Sequence, residues 1–238
     1  MENKKISLLH FNSLDSTNKY ALQEDIFNHL TVVVADSQTG GRGRLGRSFY
    51  SPKEGLYMSV VLQAEKIKCP LSLCTPAAAV AVRETLEKYC SEEIKIKWVN
   101  DLLINEKKVC GILTQAHSEQ GKINKIVVGI GINLKEPSEG FPADIKEKVG
   151  TVGFSGDKLI LAEEIALTLD KYVSSEGKTV LREYVDHLAF VGTEREITDY
   201  GDGNRKIKGT ILGVNEKGYI IIKTDEGEER IISSGEIF

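Results

Sequence analysis

The stretch T-V-V-V-A-D (Thr31–Asp36), Q-T-G-G-R-G-R-L-G-R (Gln38–Arg47) and S-F-Y-S-P-K-E-G-L-Y-M-S-V (Ser48–Val60) decides the architecture. Its opening is a β-branched run, which predicts a short buried strand. That strand delivers the chain into a loop where Gly40, Gly41, Gly43 and Gly46 are interleaved with Arg42, Arg44 and Arg47. Glycine brings backbone N–H groups close to a ligand, and arginine adds planar, permanently charged donors that suit carboxylate and phosphate oxygens. Such a loop is built to wrap an anion. Gly41-x-Gly43-x-x-Gly46 formally fits the dinucleotide fingerprint, but that fold needs a helix directly after it to carry the pyrophosphate. Here a turn and a second strand, Leu56–Leu62, follow instead. No Gly-Lys-Ser/Thr occurs, which excludes a Walker A loop. A solvated glycine–arginine hairpin with no ligand is the remaining alternative.

Working outward, Asp15, Ser16 and Thr17 are good caps for a helix over residues 13–24. Thr75 as cap and Pro76 at the first position predict a helix to about Tyr89. Ile94, Ile96 and Trp98 alternate with Lys95 and Lys97, the period of a strand. Asn100–Asn105 reads as a turn, Lys108–Gln115 as the return strand of a hairpin, and Lys125–Leu134 as a further apolar strand. Glu136–Val152, rich in Pro, Gly, Glu and Lys, reads as a mobile loop. Asp157 caps a helix with Leu161, Ile165, Leu169 and Tyr172 on one face, and a second helix covers about Thr179–Leu188. After Phe190 come short strands with turn signals at Gly201–Asn204, Asn215–Gly218 and Glu226–Gly227, which predict a small antiparallel barrel. The boundary falls at 189/190.

The bulk numbers exclude several classes. At 238 residues the chain suits one large domain, or one domain plus a small one. A net charge of −4 argues against general nucleic-acid binding, and it makes the positive charge of the loop a local feature. No apolar run approaches the ~20 residues of a membrane span. The start, M-E-N-K-K-I-S-L-L-H-F, lacks a signal-peptide apolar stretch, so the cytoplasm is expected. Cys69, Cys74, Cys90 and Cys110 form no C-x-x-C pair and read as buried free thiols. The four histidines show no metal-ligand spacing, and no protein metal site is expected.

A second constellation is K-W-V-N-D-L-L-I-N-E-K-K-V-C-G-I-L, residues 97–113. Asn100-Asp101 ends a strand, Lys108 begins another, and Gly111 leaves room for a ligand against the backbone. A lysine at a strand start is ordinarily a solvated charge. Beside an anion loop it is a candidate catalytic cation.

With these residues assembled, the chain resembles the biotin–protein ligases. The matching motifs are Ser16-Thr17-Asn18, the Gln38–Arg47 loop, K-W-x-N-D, K-K-V-C-G-I-L, and V-G-I-G-I-N-L at 128–134, in the family's order and over nearly the whole chain. The resemblance implies an α/β (α+β) fold: a mixed-sheet catalytic domain over 1–189 and a Src-homology-3-like barrel over 190–238. It implies two steps. Biotin and Mg-ATP give biotinyl-5′-adenylate and pyrophosphate, and the biotinyl group then moves to a lysine of a biotin carboxyl carrier domain. Mg2+ is expected on the ATP phosphates with few protein ligands.

By the same resemblance, Lys108, Arg44 and Asp101 are the catalytic candidates. Ser16, Thr17, Asn18, Gln38, Gly41, Arg42, Gly43, Arg44, Lys108, Gly111 and Leu113 are expected around biotin. Arg42, Arg44, Arg47, Phe49 and Asn133 are expected around ATP or the adenylate, with the Glu136–Val152 loop folding over adenine. Two alternatives stay open: Ser16 and Thr17 as simple helix caps, and Asp101 as a turn residue instead of a group orienting the acceptor lysine or taking its proton. Val99 and Phe49 stand where the family usually has proline and tryptophan, and Phe238 comes before a basic tail found in some relatives. Ser16-Thr17-Asn18 lies almost at the start, leaving no room for the DNA-binding helix-turn-helix of many bacterial relatives, so a ligase that is not a repressor is expected. A homodimer through the central sheet is also implied. A lipoate ligase or octanoyltransferase shares the fold, but its downstream histidine is absent here. A non-catalytic biotin or adenylate binder is the alternative from another class.

Overall fold

The computed structural model describes residues 6–23 and 27–238. The end of the first expected helix, Glu24, and the first residues of the expected leaderless start lie outside the described residues. The order is β1 (Ser7–Phe11), α1 (Thr17–Gln23), β2 (Thr31–Ala35), β3 (Leu56–Gln63), α2 (Cys74–Leu86), β4 (Lys95–Lys97), β5 (Asp101–Ile104), β6 (Lys107–Glu119), β7 (Lys122–Ile132), α3 (Lys158–Val173) and α4 (Gly177–Asp186). Five strands follow: β8 (Glu194–Asp199), β9 (Arg205–Val214), β10 (Ile220–Thr224), β11 (Glu229–Ile232) and β12 (Gly235–Ile237).

The first seven strands form one mixed sheet in the order β1-β2-β3-β7-β6-β5-β4. Only β1 and β2 run parallel; the other pairs are antiparallel. Alternation assigns the two faces. Val32, Val34, Met58, Val60, Val128 and Ile130 belong to the main core with the buried sides of α2, α3 and α4. Val33, Val61 and Val127 point the other way and pack with Ala21 of α1. Helix α1 covers only part of that second face. The rest, over β6, β7 and β5, is the floor of a cleft.

Several expectations need correction. Strand β1 carried no clear signal. Asp101–Ile104 is a strand, because Leu102, Leu103 and Ile104 are all buried, and the turn shrinks to Asn105-Glu106, both with positive φ (50° and 62°). Positive φ at both positions fits a two-residue hairpin loop. Thr75 is not a cap: a 3₁₀ turn over Leu71–Leu73 runs into α2, and the Thr75 hydroxyl donates to Thr114 Oγ1 at 2.9 Å. Cys90 is only half-buried because it follows α2 onto the surface; all four thiols are free. Asp157 does cap α3, accepting from the Leu159 N–H at 2.8 Å.

The last five strands make an antiparallel sheet in the order β11-β10-β9-β8-β12. Among the described residues no β11–β12 ladder closes it into a barrel. The inward isoleucines Ile197, Ile211, Ile220, Ile222 and Ile237 join the main core without a break. Trp98, just after β4, is 2% exposed and donates its Nε1–H to the Gly218 carbonyl at 2.9 Å, across the joint between the sheets. Trp98→Phe leaves that carbonyl without its donor and is expected to lose about 1–3 kcal/mol. Urea unfolding measures it, and an unchanged midpoint would contradict the assignment.

Candidate active site

The cleft lies on the α1 face of the large sheet and is closed on one side by the C-terminal sheet. Counting the space open at its mouth, its volume is about 940 Å³. Its floor is set by cross-strand glycines: Gly111 of β6 faces Gly131 of β7, and Gly129 faces Leu113. A side chain at Gly131 would meet the Phe49 ring at 2.6 Å, and one at Gly129 would overlap the Asn18 amide.

At one end is a buried polar network. Ser16, Thr17, Asn18 and Ser59 are all less than 5% exposed. Gln38 Oε1 accepts from the Thr17 backbone N–H (2.9 Å) and hydroxyl (3.2 Å), while its Nε2 donates to Ser51 Oγ (3.1 Å). Asn18 Nδ2 donates to the Leu113 carbonyl (3.0 Å) and to Gln115 Oε1 (2.9 Å). The Ser59 hydroxyl lies 2.8 Å from Thr17 Oγ1 and 2.7 Å from Asn18 Oδ1. Burial without such partners would be costly. Asn18 is thus committed to holding α1 against the sheet. Ser16 is also the α1 cap, accepting from the Lys19 N–H at 3.4 Å. Ser59 and Gln115 were not anticipated; a lone serine inside the apolar run L-Y-M-S-V-V-L is the signal that marks Ser59.

Over the middle of the floor stand Lys108 and Asp101, with Nζ and Oδ1 2.7 Å apart. The Lys108 backbone is clamped: its N–H donates to the Lys148 carbonyl and its carbonyl accepts from the Gly150 N–H, both at 2.9 Å. The end of the Glu136–Val152 loop is therefore tied to the strand that carries Lys108. Gly111 makes room mainly for the Lys108 chain and the Phe49 ring, each 3.1 Å from where its Cβ would be.

The glycine–arginine loop forms the far wall, turning through a 3₁₀ segment at Arg44–Gly46 with Leu45 and Gly46 at φ 56° and 74°. Five amides of the Gln38–Arg47 loop are already used: Gln38 donates to the Ser51 carbonyl (3.3 Å), Thr39 to Leu14 (3.0 Å), Gly40 to Asp15 (2.9 Å), Gly43 to Arg47 (2.7 Å) and Arg47 to Arg44 (3.2 Å). The arginine side chains are left as the loop's foremost donors. Arg44 donates to Asn100 Oδ1 and to the Gly235 carbonyl, both at 3.2 Å. Arg47 makes a fork to Glu236 (2.8 and 2.6 Å), and Tyr200 donates to the same carboxylate at 2.8 Å. Two arginines of one loop thus fasten β12 of the C-terminal sheet.

Two expected residues stand off the cleft wall. Gly41 is walled in by the Phe49 carbonyl and Ser51 Oγ, 2.5 and 2.6 Å from where its Cβ would be, so it closes the loop's base. Asn133 points its amide at the Gly150 (3.0 Å) and Lys108 (3.4 Å) carbonyls and so positions the Lys108 strand. The other expected residues line the cleft: Ser16, Thr17, Asn18, Gln38, Arg42 and Gly43 with Arg44, Arg47, Phe49, Asp101, Lys108, Gly111 and Leu113. Lys97 and Glu236 join them unannounced.

The hydrogen bonds from Arg47 hold the Glu236 carboxyl below the usual carboxylate range. A lowered folded value means the ion pair stabilises the molecule fully above the unfolded value, about 4 for a carboxyl, and loses that contribution as pH falls through the folded value. Glu236→Gln is therefore expected to melt lower than the parent near neutrality, with the difference closing in acid. A difference constant from pH 7 to pH 3 would contradict it.

Residues 10–133 match the model of the biotin/lipoate A/B protein ligase family, and residues 190–238 match that of the biotin protein ligase C-terminal domain. The chain is 31% identical to the bifunctional ligase/repressor BirA of Bacillus spizizenii, over 95% of this chain and 72% of that protein. It is 26% identical to the biotin–[acetyl-CoA-carboxylase] ligase of Paracoccus denitrificans, over 94% of this chain and 97% of that one. It superimposes on a biotin protein ligase from Aquifex aeolicus, solved in complex with biotin and ATP, with a TM-score of 0.81 and 31% identity, covering 98% and 97% of the two chains. The chain belongs to the biotin/lipoate A/B protein ligase family, in its biotin protein ligase branch.

Proposed function

We propose that this chain activates biotin with ATP and transfers it to a lysine of a carboxyl carrier domain. The observation that carries this is the Lys108–Asp101 pair, placed between a buried polar end and a wall of arginines. A carboxylate is a poor acyl donor because oxide is a poor leaving group. Adenylation replaces oxide with a phosphate ester, but it must first bring a carboxylate against the α-phosphate, anion against anion. Fixed cations in a partly enclosed cleft suit that task.

The ureido head sits in the polar end against Ser16, Thr17 and Gln38, with the Leu113 and Gly111 backbone alongside. The tail crosses the glycine floor and brings its carboxylate to Lys108. The carboxylate oxygen bonds to the α-phosphorus, and the pyrophosphate leaves with the electron pair. Arg42 and Arg44 hold the tail and the adenylate phosphate, and Phe49 packs over them. In the second step the amine of the acceptor lysine attacks the carbonyl and AMP leaves; Asp101 orients that lysine and takes its proton.

Magnesium arrives with ATP. The two carboxylates that line the cleft are engaged, Asp101 with Lys108 and Glu236 with Arg47, so the protein would offer the ion no ready-made cage and the nucleotide phosphates would supply most of its ligands. Residues 1–189 form the catalytic unit, and residues 190–238 close the cleft through Glu236 and Gly235. No helix among the described residues is long and apolar enough to cross a membrane.

The test is to mix the full chain with biotin, ATP and a carboxyl carrier domain and follow the intact mass of the carrier. One biotinyl group on a single lysine is expected. A carrier left unmodified, with biotin still bound by this chain, would favour the non-catalytic binder.

A further inference from the structure

Lys97 has no place in the chemistry above. It sits on β4 directly opposite Asp101 of β5, half-buried on the wall of the cleft. Two acids lie within its electrostatic reach, and both are committed. Asp101 is paired with Lys108 at 2.7 Å, and Glu236 is forked by Arg47. Among the described residues, Lys97 has no ion pair and no side-chain hydrogen bond. The other cleft cations differ: Lys108 and Arg47 are ion-paired, Arg44 is hydrogen-bonded to Asn100 and Gly235, and Arg42 is exposed.

Burial pushes the Lys97 ammonium down, and the charges of Lys108 and Arg47 push the same way against Asp101 and Glu236. A cation held under those conditions without a partner lacks an anion that the protein itself does not provide. In an in-line displacement the leaving oxygen departs opposite the attacking carboxylate oxygen. The departing phosphates carry more charge than the α-phosphate and need cations of their own. Lys97 lies two strands from the Lys108 strand, on the side of the cleft that Glu236 closes.

Resting on the adenylating role proposed above, we propose that Lys97 binds the β- and γ-phosphates of the nucleotide and the pyrophosphate that leaves. The bond to the α-phosphorus forms and breaks as already described. Lys97 moves no proton and neutralises the charge carried away by the leaving group.

The test uses the full chain with Lys97→Met and Lys97→Arg. Calorimetry with inorganic pyrophosphate should show affinity falling about tenfold or more in Lys97→Met, the loss of one charge-assisted contact, with Lys97→Arg recovering most of it. The KM for ATP should rise by a similar factor. Biotin affinity and transfer from preformed biotinyl-adenylate should not change. Unchanged pyrophosphate binding overturns the proposal. So does a slowed transfer from preformed adenylate with pyrophosphate binding intact, which would assign Lys97 to the acceptor amine. If the parent activates no acid yet loses pyrophosphate affinity on Lys97→Met, the anion site stands and the ligase role falls.

Discussion

Lys108→Ala is expected to lose roughly a hundred- to a thousandfold in adenylate formation, the usual loss when a fixed charge stabiliser leaves a partly enclosed site. The fold should survive. Lys108 is a third exposed, and its backbone clamp to Lys148 and Gly150 does not use the side chain. The variant also leaves the Asp101 carboxylate without its neutralising partner, which offers a rival explanation for lost activity. The double variant Lys108→Ala/Asp101→Asn separates the two. If Lys108 served only to neutralise Asp101, the double variant would regain activity. If Lys108 meets the carboxylate and the α-phosphate, it stays inactive. Single-turnover adenylate formation measures both, and full activity in Lys108→Ala alone would remove the residue from the chemistry.

Gly129→Ala carries the second large effect. The new methyl group would overlap the Asn18 amide. Asn18 has no room to yield: its nitrogen is bound to Leu113 and Gln115, and its oxygen accepts from Ser59. Either the amide rotates and strands buried polar groups, or α1 lifts from the sheet. Overpacking of this kind costs about 1–3 kcal/mol of stability. Thr17 shares Ser59 with Asn18, so the polar end should lose its shape as well. Biotin affinity is expected to fall roughly a hundredfold, about two hydrogen bonds' worth. Equilibrium binding of biotin without ATP reads this directly. A variant that binds biotin like the parent would show that the polar end is not the biotin seat.

The legible parts of the site were local. The glycine–arginine loop and the K-W-V-N-D run each state their chemistry within a few residues, whereas Gly129 and Gly131 read only as part of an apolar strand and show themselves as the cleft floor once β6 and β7 pair. The missing helix after Gly46 excluded the dinucleotide fold, and the structure has a 3₁₀ turn and then β3 there. What was not legible is set by contacts distant in sequence. Arg47 meets Glu236 across 189 positions, and nothing in S-G-E-I announces a partner. Asn133 resembles a ligand residue by motif, yet its amide turns to Gly150. The short strand β5 was hidden because three apolar residues between two turn formers fit a loop as well as a strand. The C-terminal unit of short antiparallel strands was legible from its turn signals; the lack of a β11–β12 closing ladder among the described residues is the one part that alternation along single strands does not encode.

ATP–pyrophosphate exchange, run in parallel with biotin, lipoate and octanoate, tests the central claim most directly. Exchange with biotin alone, lost in Lys108→Ala, is the predicted result. Exchange with lipoate or octanoate and none with biotin would contradict it.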